Sequence, residues 1–205
     1  GQMGGFDYMQ YIAPGLIMMS VITNSYSNVV SSFYGAKFQR NIEELVVSPV
    51  PHHIILSGFV IGGVVRGLLV GVMVTLLSLF FTHLSIHHLF VVIYSVLVTS
   101  TLFALGGFVN AVFAKSFDDI SIVPTFILTP LTYLGGVFYS IDNLSPFFQT
   151  VSLFNPIVYM VNSFRFGILG VSDVDIRLSL TIMTLATIAL YVYALKLLQS
   201  GKGMK

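Results

Sequence analysis

Runs of apolar residues as long as a bilayer is thick leave this chain few folds to choose from. Residues 11–33, 54–81, 89–113 and 177–198 each supply the roughly 20 residues that cross a hydrocarbon core, and residues 120–139 make a fifth run. Only 8% of the residues are charged and 56% are hydrophobic, with a mean hydropathy of +0.93; a soluble domain carries roughly 25% charged residues. In lipid every backbone N–H and C=O needs a partner inside the protein, which a helix supplies within itself. The chain therefore reads as an all-α polytopic membrane bundle, one domain over residues 1–205, with no soluble module, internal repeat or low-complexity linker.

Orientation follows from the basic residues, because loops rich in Lys and Arg stay in the cytoplasm. Lys37 and Arg40 lie between the first two runs, Lys115 between the third and fourth, and Lys196, Lys202 and Lys205 near the end. The opposite loops carry Asp142, Asp173 and Asp175 and no Lys. This places residue 1 on the outer side without a charged, apolar leader, so a transmembrane helix is expected to precede it in the intact protein.

Residues 128–165 interrupt the apolar pattern with Pro130, Gly135, Gly136, Pro146 and Pro156. Irregular backbone at membrane depth is tolerated only inside protein or beside water, and such segments mark where membrane proteins handle cargo.

The first run carries a polar stripe. At 100° per residue Ser20, Asn24, Ser27 and Ser31 fall within a narrow arc, with Asn28 beside it; the stripe serves either interhelical hydrogen bonding or the wall of a translocation path. The second run has Gly58, Gly62, Gly63, Gly67 and Gly71, spaced for close helix approach. Arg66 sits among them, and an intramembrane charge is by default a functional candidate. Its partner is Glu43, Glu44, Asp118 or Asp119, a helix carbonyl, or an anionic cargo or lipid head group; alternatively its side chain snorkels to the inner interface. Between these runs Phe38, Ile42, Leu45 and Val46 recur at helical spacing. They predict a short amphipathic helix stopped by Pro49 and Pro51, which either presses on a cytoplasmic partner or serves as an interfacial connector.

Much is excluded. There is no Walker GxxxxGK[ST] loop, no GxSxG or HExxH, and no Cys. The spans contain no Asp or Glu for proton or sodium coupling. His83, His87 and His88 lie in one short outer loop that holds no carboxylate, so no metal site is assigned to them.

The broken stretch, LTPLTYLGGVFYSIDNLSPFFQTVSLFNPIVYMVNSFR, resembles the signature of ABC-2 type transport permeases, the membrane subunits of ATP-driven bacterial exporters. The positions that carry the resemblance are Leu128, Leu131, Leu134, Gly135, Val137, Leu144-Ser145, Pro156-Ile157, Tyr159 and Arg165. The cytoplasmic segment ending Ser48-Pro49-Val50 and the Gly-rich run with Arg66 agree with it.

The resemblance implies about six transmembrane helices in the intact protein, five of them present here, with an outer re-entrant helical hairpin. It implies a half-transporter: a permease homodimer among membrane lipids in the bacterial inner membrane, no nucleic acid, and a separate ABC ATPase subunit carrying ATP and Mg. Arg40, Glu43, Glu44, Ser48, Pro49 and Pro51 would couple to that ATPase. Ser20, Asn24, Ser27, Asn28, Ser31 and Arg66 would line the cargo path. Phe147, Phe148, Phe154, Pro156, Tyr159 and Arg165 would form the outer gate, with Phe147, Phe148, Phe154 and Tyr159 as an apolar plug, unless these aromatics are headgroup-zone anchors. The cargo would be hydrophobic, drug-like or linked to a glycan or lipid. The rival reading is a membrane scaffold or assembly factor that transports nothing.

Overall fold

A computed structural model describes residues 2, 3 and 5–201, and these form a helical bundle. A minimal antiparallel pair, Gln2–Met3 with Phe6–Asp7, precedes helix α1, Tyr8–Phe38. The order continues with α2 (Asn41–Val47), α3 (His52–Ser78), α4 (Leu89–Phe113), α5 (Phe117–Ile122), α6 (Thr129–Tyr133), α7 (Pro146–Ser152), α8 (Pro156–Leu169) and α9 (Ile176–Ser200). Lys202 and Lys205, used above for orientation, lie outside the described residues.

Helices α3, α4 and α9 are long and apolar enough to cross a membrane. Helix α1 has 31 residues, about 45 Å at helical rise, which exceeds the roughly 30 Å hydrocarbon core; its Ser and Asn residues keep its hydropathy below that of the other three. The fifth run departs from expectation. Its helix begins at Phe117 and ends at Tyr133 rather than running on to Tyr139, and Pro130 does not break it. Instead a π-helical turn, Val123–Leu128, lies between α5 and α6. Pro130 has no N–H to continue the α pattern, and the wider i→i+5 register, seen also in the Thr129 hydroxyl donating to the Pro124 carbonyl at 2.9 Å, accommodates it. The reversal comes at Gly136, whose φ of +74° suits glycine.

The core is built around α1, which packs against α3, α4 and α8. Side chains of Ile17, Met18, Ile22, Tyr26, Val29 and Phe33 are buried there, and Phe33 meets Phe59 of α3 and Phe108 of α4 at ring-centroid distances of 5.1 and 4.5 Å. Glycines bring the backbones together. A Cβ on Gly63 would lie 2.9 Å from the Ser25 carbonyl oxygen, and one on Gly107 would lie 2.5 Å from that of Tyr26. Of the Gly-rich run in α3, Gly63, Gly67 and Gly71 face α1, whereas Gly58 is open. At the other end Lys37 donates to the carbonyls of Val112 and Ala114 at 2.8 and 2.9 Å, fastening the ends of α1 and α4 to each other.

Close approach of backbones makes a sharp expectation. Gly107→Ala should destabilise the protein by about 1–3 kcal/mol, the usual range for overpacking, because the obstructing atoms are backbone. Gly35→Ala, also helical but with nothing within 4 Å of its Cβ, should be neutral or stabilising. Thermal unfolding of the two variants in mild detergent checks this.

Candidate functional site

Three flanks of α1 have different neighbours. Val21, Ser25 and Val29 meet α3, and Tyr26 and Val30 meet α4. The remaining flank is the polar stripe: Ser20, Asn24, Ser27 and Asn28 are partly exposed and Ser31 is exposed, so the described residues leave them uncovered. Their local bonds stay within α1. Ser20 donates to the Leu16 carbonyl at 3.0 Å, Asn24 to that of Ser20 at 3.0 Å, and Ser31 to that of Ser27 at 2.6 Å. These bonds leave Asn28's side chain without a hydrogen-bond partner among the described residues. Among the described residues the stripe makes no interhelical hydrogen bond. Across from it on α3, a Cβ at Gly62 would lie 3.5 Å from Asn28 Oδ1, and one turn further along α3 comes Arg66, exposed.

The cytoplasmic connection is shorter as a helix than its periodicity suggests. Phe38 closes α1, packing on Tyr34 and Phe117, and α2 has only seven residues. Between them Arg40 adopts a left-handed backbone, φ +61°, a strained choice for a residue other than glycine. Ile42 is fully buried and pins α2 to the bundle, while Glu43, Glu44 and Leu45 are exposed. The Ser48 hydroxyl donates to the Leu45 carbonyl at 2.6 Å, Pro49 is exposed, and Pro51 caps α3 in extended conformation. Arg40, Glu43, Glu44 and Pro49 are thus each exposed in the segment that follows α1.

At the outer end the residues assigned to a gate separate. Phe147 and Phe148, on α7, touch edge to face at 5.4 Å and are 71% and 57% exposed; Phe154, in the following turn, is 84% exposed. Phe148 and Phe154 line an apolar cavity of about 470 Å³ with Leu131, Leu134 and Asn155. Tyr159 does not join these rings: it is buried in α8, and its hydroxyl donates to the Leu153 carbonyl at 2.7 Å. Pro156 opens α8, where Asn155 caps by accepting from the Ile157 N–H at 3.0 Å and reaches the Leu131 carbonyl at 2.7 Å.

Arg165 is fully buried. Its Nε and Nη1 donate to the carbonyl and hydroxyl of Tyr11 at 3.3 and 3.0 Å, Nη2 donates to the Gly136 carbonyl at 2.6 Å, and the guanidinium carbon lies 4.0 Å from the Tyr11 ring centroid. Tyr11 in turn donates to Asp173 at 3.4 Å. The Asp173 carboxylate also accepts from the Ser140 hydroxyl at 3.0 Å and the Ile141 N–H at 2.8 Å, and its own N–H donates to Asn162 Oδ1 at 3.0 Å. One buried network thereby joins the outer end of α1, the Gly136 turn, α8 and the loop before α9. Within a single chain Arg165 is a tether, with no exposed surface to offer a gate.

Tyr11, Asp173 and Asn162 had no sequence signal of their own. Tyr11 and Asp173 are 162 positions apart, and a lone acid in an outer loop looks solvated until the fold is known. His87 and His88 are spoken for structurally: their backbone N–H groups donate to the Gly167 carbonyl at 2.9 and 2.8 Å, and the His88 ring stacks on Phe166.

Comparison with known proteins puts this geometry in context. The sequence model of the family described as ABC-2 type transporter matches residues 1–169. Inner membrane transport permease YadH of Escherichia coli (strain K12) is 57% identical over 205 residues, which cover all of this chain and 80% of that protein. Nodulation protein J of Rhizobium leguminosarum bv. viciae is 22% identical over 203 residues, covering 97% of this chain and 77% of that protein. The protein of that name from Neorhizobium galegae is also 22% identical, over 200 residues. No solved structure matches the chain.

Because the chain has no Cys, a single introduced thiol reports opening of the outer network. Val137→Cys, at a buried position beside the Gly136 turn, should resist a thiol reagent. Adding Arg165→Lys, which replaces a three-donor fork by one ammonium, should lose about 2–3 kcal/mol of charged hydrogen bonding. The thiol should then react at least about tenfold faster, since roughly 1.4 kcal/mol of local opening is a factor of ten. Unchanged reactivity would show that the network does not hold the turn shut.

Proposed function

Since this chain belongs to the ABC-2 type transporter family, a transmembrane subunit of an ABC transporter, we propose that it is the permease of an exporter in the bacterial inner membrane. Two copies enclose a path for a hydrophobic, drug-like or glycan- or lipid-linked cargo moving outward, and a separate ABC ATPase supplies the energy. The observation that carries this reading is the uncovered polar flank of α1. A bilayer-length helix does not keep Ser20, Asn24, Ser27, Asn28 and Ser31 toward hydrocarbon when α3, α4 and α9 are so apolar; a second copy with an aqueous or cargo-filled space between suits them.

ATP and Mg bind on the partner subunit, as this chain has no Walker loop. The partner docks on the surface formed by Arg40, Glu43, Glu44, Ser48, Pro49 and Pro51. Ile42, buried in the bundle, makes α2 follow the inner end of α1, so pressure on the exposed acids is delivered to the helix that carries the polar flank. Phe147, Phe148 and Phe154, exposed in one chain, meet their counterparts at the outer end of the dimer and close the path there.

Two measurements test this. Purification of the tagged full-length protein from its native host should bring down a Walker-motif ATPase in equal amount; a protein recovered without one would favour the scaffold reading. In the complex, ATP should change the reactivity of a Ser27→Cys thiol, read against the parent complex without it. Glu43→Ala with Glu44→Ala should leave the ATPase bound while reducing that change about tenfold, equivalent to roughly 1.4 kcal/mol of coupling. A full response in the double variant would remove the coupling role of α2.

A further inference from the structure

Arg66 is fifteenth in the 27-residue helix α3, so it stands roughly 21 Å from one end and roughly 18 Å from the other at helical rise. A hydrocarbon core of roughly 30 Å puts it within a few ångströms of the midplane, too deep for an arginine side chain to reach either interface by snorkelling. Its side chain is exposed and forms no hydrogen bond or ion pair among the described residues. On α1, across the edge marked by Gly62, Asn28 also presents a side-chain amide with no partner among the described residues.

The counter-charge does not come from this 205-residue stretch. It has eight acidic residues: Asp7, at the N-cap of α1; Glu43 and Glu44, in α2; Asp118 and Asp119, in the first turn of α5; Asp142, in a 3₁₀ turn; Asp173, committed to the outer network; and Asp175, the cap of α9. None lies within a span, and a second copy brings the same set. A bare cation at the midplane is expensive, and an anion held beside it would offset that cost.

We propose that Arg66 and Asn28 bind the acidic group, phosphate or carboxylate, of an amphipathic molecule whose apolar part remains in the bilayer or the path. The guanidinium supplies charge and a planar fork of donors matched to such oxygens, Asn28 adds an amide donor, and Gly62, one turn before Arg66, puts no side chain against the Asn28 amide. That the molecule is cargo rests on the exporter reading above; that it is an acidic amphiphile does not.

The test uses the purified full-length chain in an uncharged detergent and two fluorescent probes with identical short acyl tails, one ending in a phosphate monoester and the other in a neutral hydroxyl. The phosphate probe should bind at least about tenfold more tightly, the factor that roughly 1.4 kcal/mol confers. Arg66→Gln should bring the ratio to about one, and Arg66→Lys should retain part of it. Gly62→Leu guards against a mere folding effect. Only Asn28 Oδ1 lies within 4 Å of its Cβ, so this variant should elute and unfold as the parent does yet lose most of the phosphate preference. Equal affinity for both probes in the parent, or a preference that survives Arg66→Gln, would overturn the assignment. In the complex with its ATPase, loss of the phosphate probe on ATP turnover supports cargo. A probe retained through turnover identifies a resident lipid and overturns the cargo assignment alone, and recovery of no ATPase counts against the exporter reading without touching the probe result.

Discussion

Helix α1 is pressed against two neighbours so closely that only glycine fits between. Gly63 of α3 and Gly107 of α4 come up against the carbonyls of consecutive residues, Ser25 and Tyr26. In lipid there is no hydrophobic gain in bringing one apolar helix to another, so association rests on van der Waals contact over closely matched surfaces. Once these two flanks of α1 are committed, the direction of its third flank is settled, and that flank carries the stripe from Ser20 to Ser31. Packing and function are coupled through the rotation of a single helix.

Two arginines within the bundle show opposite solutions to one energetic problem. Arg165 is surrounded by acceptors and an aromatic face, all from its own chain, and its charge is used to tie three elements together: the start of α1, the Gly136 turn and α8. Asp173 completes the arrangement through Tyr11, so cation and anion share a hydroxyl between them. Breaking up such a network is costly because each remaining group would be buried unpaired. Arg66 has no such company among the described residues, and beside the open flank the same cost favours a bound anion.

The ends of α1 are bound differently, which bears on how the helix moves. Its outer end is held by the buried network. At its inner end Lys37 fastens it to α4, after which Arg40 turns the chain into α2 through a strained left-handed backbone. On the exporter reading, force on α2 works against a helix with a firm outer anchor, so the inner portion of the polar flank moves farther than the outer portion.

The amino-acid pattern alone determined the helical membrane class, the positions of the long apolar helices, the polar stripe on α1 and the family, because these depend on composition, periodicity and a local motif of about forty residues. It carried the fifth run on to residue 139, whereas α6 stops at Tyr133 and the chain reverses at Gly136, and it treated Phe38 as part of α2 when the Arg40 turn separates them. It also put Arg165 with the exposed aromatics, because a motif records which residue is present and not what surrounds it. Only tertiary structure decided that Arg165 is a buried tether, that Tyr11 and Asp173 are its partners, and that Arg66 is exposed one turn from the Gly62 edge that Asn28 reaches. Those facts depend on which helix faces are brought together over separations of more than a hundred residues, and no spacing along the chain encodes them.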